Sequence, residues 1–265
     1  MNLSFINVDY NFLKDNPKYD PAITDTKYDP DTSSEILQIY HKLLWSKEEN
    51  NIKLYFNRGL EYSDLILINR YTTKEEENVF SSDWIVNDYQ HWDRNKYHEL
   101  KYLDNMDINI LKNFNNITNT IGGRIIFPKR KIDGKDSINV HRGRYRKICD
   151  RFDITLECIR RFYSGIESIP EFDETLKRYS FFFLLFGKHI EGFKNYCNFF
   201  FLQDLVLDDY TGINFFIDFK EFENNPFPKS EKQYLLFVNR ATNFIKCRNK
   251  RMLEYIKNNI DNVYD

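Results

Sequence analysis

Ile148, Phe152, Leu156, Ile159 and Tyr163 recur at steps of four, four, three and four, and no other pattern in the chain constrains its fold as strongly. Such spacing puts the apolar side chains on one face of a helix. It predicts an amphipathic helix from about Tyr145 to Tyr163. Asp150, Asp153, Glu157, Arg160 and Arg161 fall on its other faces. Arg146 with Asp150 and Glu157 with Arg161 are four apart, and each pair adds roughly 0.2–0.5 kcal/mol to a helix.

Other helices are expected around this one. Ser33 or Ser34 caps a helix carrying Ile36, Leu37, Ile39, Tyr40, Leu43 and Leu44. Helices are expected between Ser82 and Asn119, beginning near SSDWIVNDYQHW, and again near 172–186 and 190–206. A long helix ends the chain, with Ser230 as cap and Gln233 completing a capping box. Strands are expected at 52–57 and 64–70 around a turn at Arg58-Gly59, and at 121–128, 137–141 and 213–219. With 9 Gly and 7 Pro in 265 residues, the composition argues against a turn-rich all-β fold. The expected fold is therefore α+β: a mostly helical single domain over 34–265 with a small mixed or antiparallel sheet. Before it, residues 1–33 read as an irregular arm with KYDP at 18–21 and again at 27–30.

Charge is distributed unevenly. The whole chain carries −2, yet Arg124 to Arg151 holds ten basic and three acidic residues, and the first forty residues hold seven acids against three lysines. A basic middle is compatible with an anionic partner. HRGRYR (141–146) places arginines around a glycine just before the expected helix, where unpaired backbone N–H groups and the dipole favour anions. Arg142, Arg144 and Arg146 are thus candidate phosphate ligands, with the acidic arm as a competing partner for them. Arg124, on the expected strand after Gly122-Gly123, could join Arg142 in a clamp beside Glu157. Asn139 and His141 are candidates to orient a substrate, and Glu157 and Asp150 are candidate acid–base groups.

Several site types are excluded or disfavoured. The glycines form neither GxGxxG nor GxxxxGK[ST]. There is no HExxH and no Cys/His cluster, so no metal site is expected, although Asp204, Asp208 and Asp209 gather near 202–210. Arg94 and His98 would share a helix face, with surface charge as the simpler reading. No cofactor is implied. The cysteines at 149, 158, 197 and 247 form no CxxC pair, and the start lacks a secretory pattern, so a cytoplasmic location without membrane attachment is expected. SFFFLLFG (180–187) is far too short for a span and reads as core.

An arginine on a strand followed by a glutamate resembles the ADP-ribosyltransferase arrangement, in which Arg holds NAD and Glu aligns the ribose. The Ser-Thr-Ser strand and ExE turn of that class do not occur here. A closer resemblance lies in IGGRIIFP, IDGKDSINVHRG, KICDRFDITLECIRRFY and NFFFLQDLVLDDY. Together these resemble an uncharacterised bacterial family, a domain of unknown function sharing IGG…FP, TIN-x-x-RG, DRFDLTLECIRR and FFLLQDLV. The likeness runs from HKLLWSK to RNKRM and includes Asn139, Arg142, Gly143, Asp150, Arg151, Glu157, Arg160 and Arg161. It implies no particular activity. The expected function is an intracellular enzyme acting on a nucleotide or nucleic acid, from which substrate class a toxin or phage-defence setting would follow. The alternative is a non-catalytic protein that docks an acidic partner or nucleic acid on the same basic surface.

Overall fold

The computed structural model describes residues 6–15, 29–45, 52–57, 64–69 and 78–259. The first KYDP copy and the Arg58-Gly59 turn lie outside them. The sheet has four antiparallel strands in chain order: β1 (Ile52–Asn57), β2 (Asp64–Asn69), β3 (Asn78–Trp84) and β4 (Arg124–Pro128). β3 and β4 pair from Phe80↔Pro128 to Trp84↔Arg124, and every residue of β4 is buried.

Helices supply most of the remaining structure, as the composition indicated. They are α1 (Pro30–Ser33), α2 (Glu35–Trp45), α3 (Ile108–Thr118), α4 (Ile138–Arg144), α5 (Phe152–Ser164), α6 (Pro170–Arg178), α7 (Ser180–Phe183), α8 (His189–Phe199) and α9 (Glu231–Asn259). The caps expected for α2 and α9 are present: Ser34 Oγ accepts from Leu37 N (3.1 Å), and Ser230 Oγ accepts from Gln233 N (3.3 Å). Gln233 Oε1 reaches back to Lys229 N (2.9 Å), one residue ahead of a standard capping box. The stripe Ile148, Phe152, Leu156, Ile159 and Tyr163 is buried throughout, as are Phe182, Phe183 and Phe186 of the SFFFLLFG run. From the N-terminal stretch, Phe12 is buried edge-on to Tyr40, and Asp29 caps α1.

Several local expectations are corrected. Residues 137–141 are not a strand: Ser137 caps α4, and the β-branched Ile138 and Val140 lie in its first turn. α5 starts at Phe152 rather than Tyr145, because Cys149 and Asp150 both adopt left-handed backbone (φ 48° and 61°), which a right-handed helix cannot contain. Residues 213–219 pair with no strand; only Ile213 makes an isolated bridge, to Val206. Their backbone is claimed by side chains of the α5 entry instead. Asp153 Oδ2 accepts from Phe216 N (2.9 Å), and Arg151, paired with Asp153, donates to Ile217 O (3.3 Å) and Pro226 O (2.6 Å). SSDW belongs to β3, not to a helix start, and Arg94 sits in a turn ahead of the 3-10 helix that begins at His98.

Ile121–Gly123 form a 3-10 turn leading into β4, where a strand was expected. Here α9 comes very close. A Cβ on Gly122 would lie 2.4 Å from Asn249 Oδ1 and 2.6 Å from Ile245 O, so only glycine admits the helix. Gly122 N donates to Asn249 Oδ1 (2.6 Å). The fully buried Arg248 donates to the carbonyls of Gly122 (2.8 Å), Arg124 (2.5 Å) and Phe200 (3.0 Å). Gly122-Gly123 is thus a landing for α9.

Candidate functional site

Side chains alternate along a strand, so Ser81 and Asp83 of β3 point to one face and Ser82 and Trp84 to the other. α4 lies along the first face. Asn139 Nδ2 donates to Ser81 Oγ (3.1 Å), and Arg142 Nη1 donates to Asp83 Oδ2 (2.5 Å). Three helix residues rise about 4.5 Å and two strand residues about 6.7 Å, which lets both grips form together.

Arg142 is 0% exposed and binds a second carboxylate, Asp150 Oδ1, at 2.7 Å from Nη1. Its Nη2 donates to Asp150 O (3.2 Å) and its Nε to Thr155 Oγ1 (3.3 Å), so all three guanidinium nitrogens are engaged by the protein. Asp150 is fixed from the other side by Asn87 Nδ2 (3.0 Å). The left-handed pair Cys149–Asp150 holds it there, braced by Tyr89 Oη donating to Cys149 O (3.0 Å); Tyr89 is itself left-handed (φ 60°). Non-glycine residues in this region cost on the order of 1–3 kcal/mol each, and such outliers gather at functional sites.

Two carboxylates share one guanidinium, and the charges do not balance. Burial pushes the Asp83 carboxyl up to about 7, with the Asp150 carboxylate adding to the rise and Arg142 opposing it. Asp83 nevertheless keeps 15% of its side chain exposed and Asp150 11%. Asn139 Oδ1 and Asp150 Oδ1 are buried acceptors with no hydrogen bond directed at them; the Asp150 contact with Arg142 is an ion pair out of line with its N–H groups. Outside α4's own backbone and its chain neighbours, a Cβ on Gly143, four residues after Asn139 on the same helix face, would meet only Asp150 Oδ1, at 3.9 Å. Asp83, Asp150 and Asn139 therefore form an acceptor-rich cluster, in which burial raises the Asp83 carboxyl to about 7.

The remaining predicted residues are dispersed. Arg124 lies on the opposite sheet face from Arg142: it sits 4.5 Å over the Trp84 ring, and its Nη2 donates to Asn119 Oδ1 (3.2 Å). There it adds to the field of Asp31. Burial would raise that carboxyl, but hydrogen bonds from His41 and Ser82 and the charge of Arg124 outweigh it and bring it down to about 2. Glu157 is two residues beyond Thr155 and so turned by about 200° from Arg142. Its oxygens are taken by Arg160 (2.7 and 2.8 Å) and Arg161 (2.7 Å). His141 also faces away, toward α6. Its Nδ1 lies 2.7 Å from Thr175 Oγ1 beside a cavity of about 430 Å3 lined by Glu171, Glu174 and Arg178, and burial and Arg178 lower its pKa. Arg144 and Arg146 are exposed at the exit of α4, with no ion pair to a described residue. Asp204 pairs with Arg251 (2.7 and 2.8 Å), and no metal-ligand cluster occurs among the described residues.

Sequence reasoning missed Asp83, Ser81, Asn87 and Thr155. The one available signal was the i,i+2 spacing of Ser81 and Asp83, which marks one strand face, but Ser-Ser-Asp reads equally well as a helix cap.

A model of a family of unknown function, DUF6994, matches residues 6–252, and the chain belongs to that family. No curated protein and no solved structure matches it. No helix among the described residues is long and apolar enough to cross a membrane.

Proposed function

We propose that this protein is an enzyme acting on a nucleotide or nucleic acid, with Asp83 as the group that transfers a proton. The observation that carries this reading is the pairing of Asp83, held near neutrality, with Asp150 across Arg142 on a strained turn. A general acid–base works best when its pKa lies near the working pH. The Asp150 side chain, 11% exposed, offers an acceptor for a sugar hydroxyl, and the exposed Arg144 and Arg146 meet phosphate at the exit of α4. Arg142 is a positioning residue, because its donors are spent on the carboxylates. Ribosyl transfer needs a proton taken from the acceptor nucleophile as the C–N glycosidic bond breaks, phosphodiester cleavage needs a proton taken from the attacking hydroxyl or given to the leaving oxygen, and either fits this arrangement.

The test is a thermal-shift panel at low salt with NAD, ATP, cyclic and linear nucleotides, and short RNA and DNA. One small nucleotide is expected to raise the Tm, with the shift lost in Asp150→Asn. Asp83→Asn should keep the shift and abolish turnover of that nucleotide. If no nucleotide shifts the wild type, this reading fails.

A second reading is a non-catalytic protein that docks nucleic acid. It is favoured by Arg130, Arg144 and Arg146, all exposed and free of ion pairs with described residues. Under it only oligonucleotides produce a shift, which fades as salt rises and ignores Asp83→Asn.

A further inference from the structure

On the face of α4 turned away from Asp83, His141 meets α6 and the turn at Gly134–Asp136 around an open cavity of about 430 Å3. Glu171, Glu174, Thr175 and Arg178 of α6 line it, at steps of three, one and three that mark one helix face, and Lys135 lines it from the turn. Opposite charges meet this cavity without closing on one another. Glu174 and Arg178 are four apart, the spacing at which such residues pair along a helix. Yet Arg178 pairs with no described carboxylate, and neither Glu174 nor Lys135 has an ion pair with a described residue. Arg178 is held by neutral acceptors instead: its Nη2 donates to Thr175 Oγ1 (2.7 Å) and Asp136 O (3.4 Å). Glu171 accepts from the neutral Tyr145 hydroxyl (2.8 Å). Asp136, the remaining acid, pairs outside the cavity lining with Lys131 (3.6 Å). Two cations and two carboxylates are thus left without a charged partner.

Thr175 sets the polarity of His141. The Thr175 hydroxyl accepts from Arg178, and its own hydrogen goes to His141 Nδ1 at 2.7 Å rather than to Glu171 O at 3.4 Å. Nδ1 is then the acceptor, and Nε2 carries the hydrogen of a neutral ring. Burial and the charge of Arg178 both favour that neutral form. Neither His141 Nε2 nor Arg178 Nη1 bonds to a described residue, and neither atom is buried. Two N–H donors side by side, one of them on a guanidinium, suit a carboxylate. One helical turn away, about 6 Å along α6, Glu174 offers an acceptor for a cation. We infer that this cavity binds a small zwitterion, an α-amino acid, with its carboxylate on Arg178 and His141 and its ammonium on Glu174. A ligand of a single charge would satisfy one half of the lining and meet repulsion from the other. The cavity lies on a different face of α4 from the Asp83 cluster and holds or falls independently of it.

The test is calorimetric titration of the full chain with each of the common amino acids in turn. At least one should bind, and its N-acetyl and carboxamide forms, which each lack one of the two charges, should bind at least about tenfold more weakly. Arg178→Gln should weaken binding of the free amino acid by a similar factor. Glu174→Gln should do the same, and because Glu174 is exposed and without an ion pair, that variant keeps the fold. Asp83→Asn should leave the affinity unchanged, which separates this cavity from the nucleotide reading. The inference is overturned if no amino acid binds, or if a blocked form binds as tightly as the free one. It is equally overturned if Glu174→Gln has no effect, or if Asp83→Asn abolishes binding and so places the ligand at the other cluster.

Discussion

Two clusters of arginine and carboxylate, one just before α5 and one in its second half, are opposite in stoichiometry. At Asp83–Arg142–Asp150 two carboxylates share one guanidinium, whereas at Arg160–Glu157–Arg161 two guanidinium groups share one carboxylate. The first has an excess of negative charge in a buried place, and burial together with the Asp150 carboxylate raises the Asp83 pKa to about 7. The second keeps its excess positive charge on side chains that still reach water, and its carboxylate has both oxygens occupied. Acid–base capacity therefore follows the surplus of carboxylate over cation, not the local density of charge. A glutamate amid arginines looks more like an active site on the page than an aspartate two residues along a strand from a serine, yet the aspartate has the usable proton.

The largest expected effect comes from taking the shared cation away. Arg142→Met should cost about 3–5 kcal/mol in urea denaturation, because two buried carboxylates lose their partner. Adding Asp83→Asn to that variant should recover part of the loss; if it recovers none, the carboxylates are not what Arg142 stabilises. Next comes pH. The folded Asp83 holds its proton up to about 7 against an ordinary value of 3.8, so its contribution to stability is complete below about pH 4. It is lost as pH rises toward 7. The wild type should thus lose stability relative to Asp83→Asn across that window, by an amount on the order of a few kcal/mol, and parallel curves would refute the raised pKa. Glu157→Gln should cost only ~1 kcal/mol at neutral pH, since the arginines it releases can hydrate. The smallest effect, ~1 kcal/mol or less, belongs to Gly165→Ala. That glycine ends α5 just past Arg161 in left-handed backbone (φ 68°), and an unchanged unfolding midpoint would show that the terminus tolerates a side chain.

The elements legible in the sequence are those whose signals are local. α2 and α9 have their serine caps and apolar stripes in one stretch, and the stripe through Phe152, Leu156 and Ile159 gave α5 its buried face. Where a distant residue decides, the local signal misled. Residues 213–219 are apolar and β-branched like a strand, but Arg151 and Asp153 satisfy their backbone instead of a neighbouring strand. Ile138 and Val140 favour a strand by propensity, and the cap at Ser137 with the docking of Arg142 on Asp83 overrides it. Of the site itself, Arg142, Asp150 and Asn139 were legible as a cluster in the chain. Asp83 was not, because 59 residues separate it from Arg142 and only the pairing of β3 with β4 brings it to α4.

The landing of α9 on Gly122 has a kinetic consequence. Gly122 meets Asn249 across 127 residues and Arg248 across 126, so each contact must close a long loop. Closing such a loop costs entropy before any contact rewards it, and folds that depend on distant contacts form slowly. The carbonyls of Gly122 and Arg124, at the threshold of β4, stay without Arg248 until then. β4 registers β3, and β3 carries Asp83, so the Asp83–Arg142–Asp150 cluster should mature in the slow phase of refolding, after the local helices have formed.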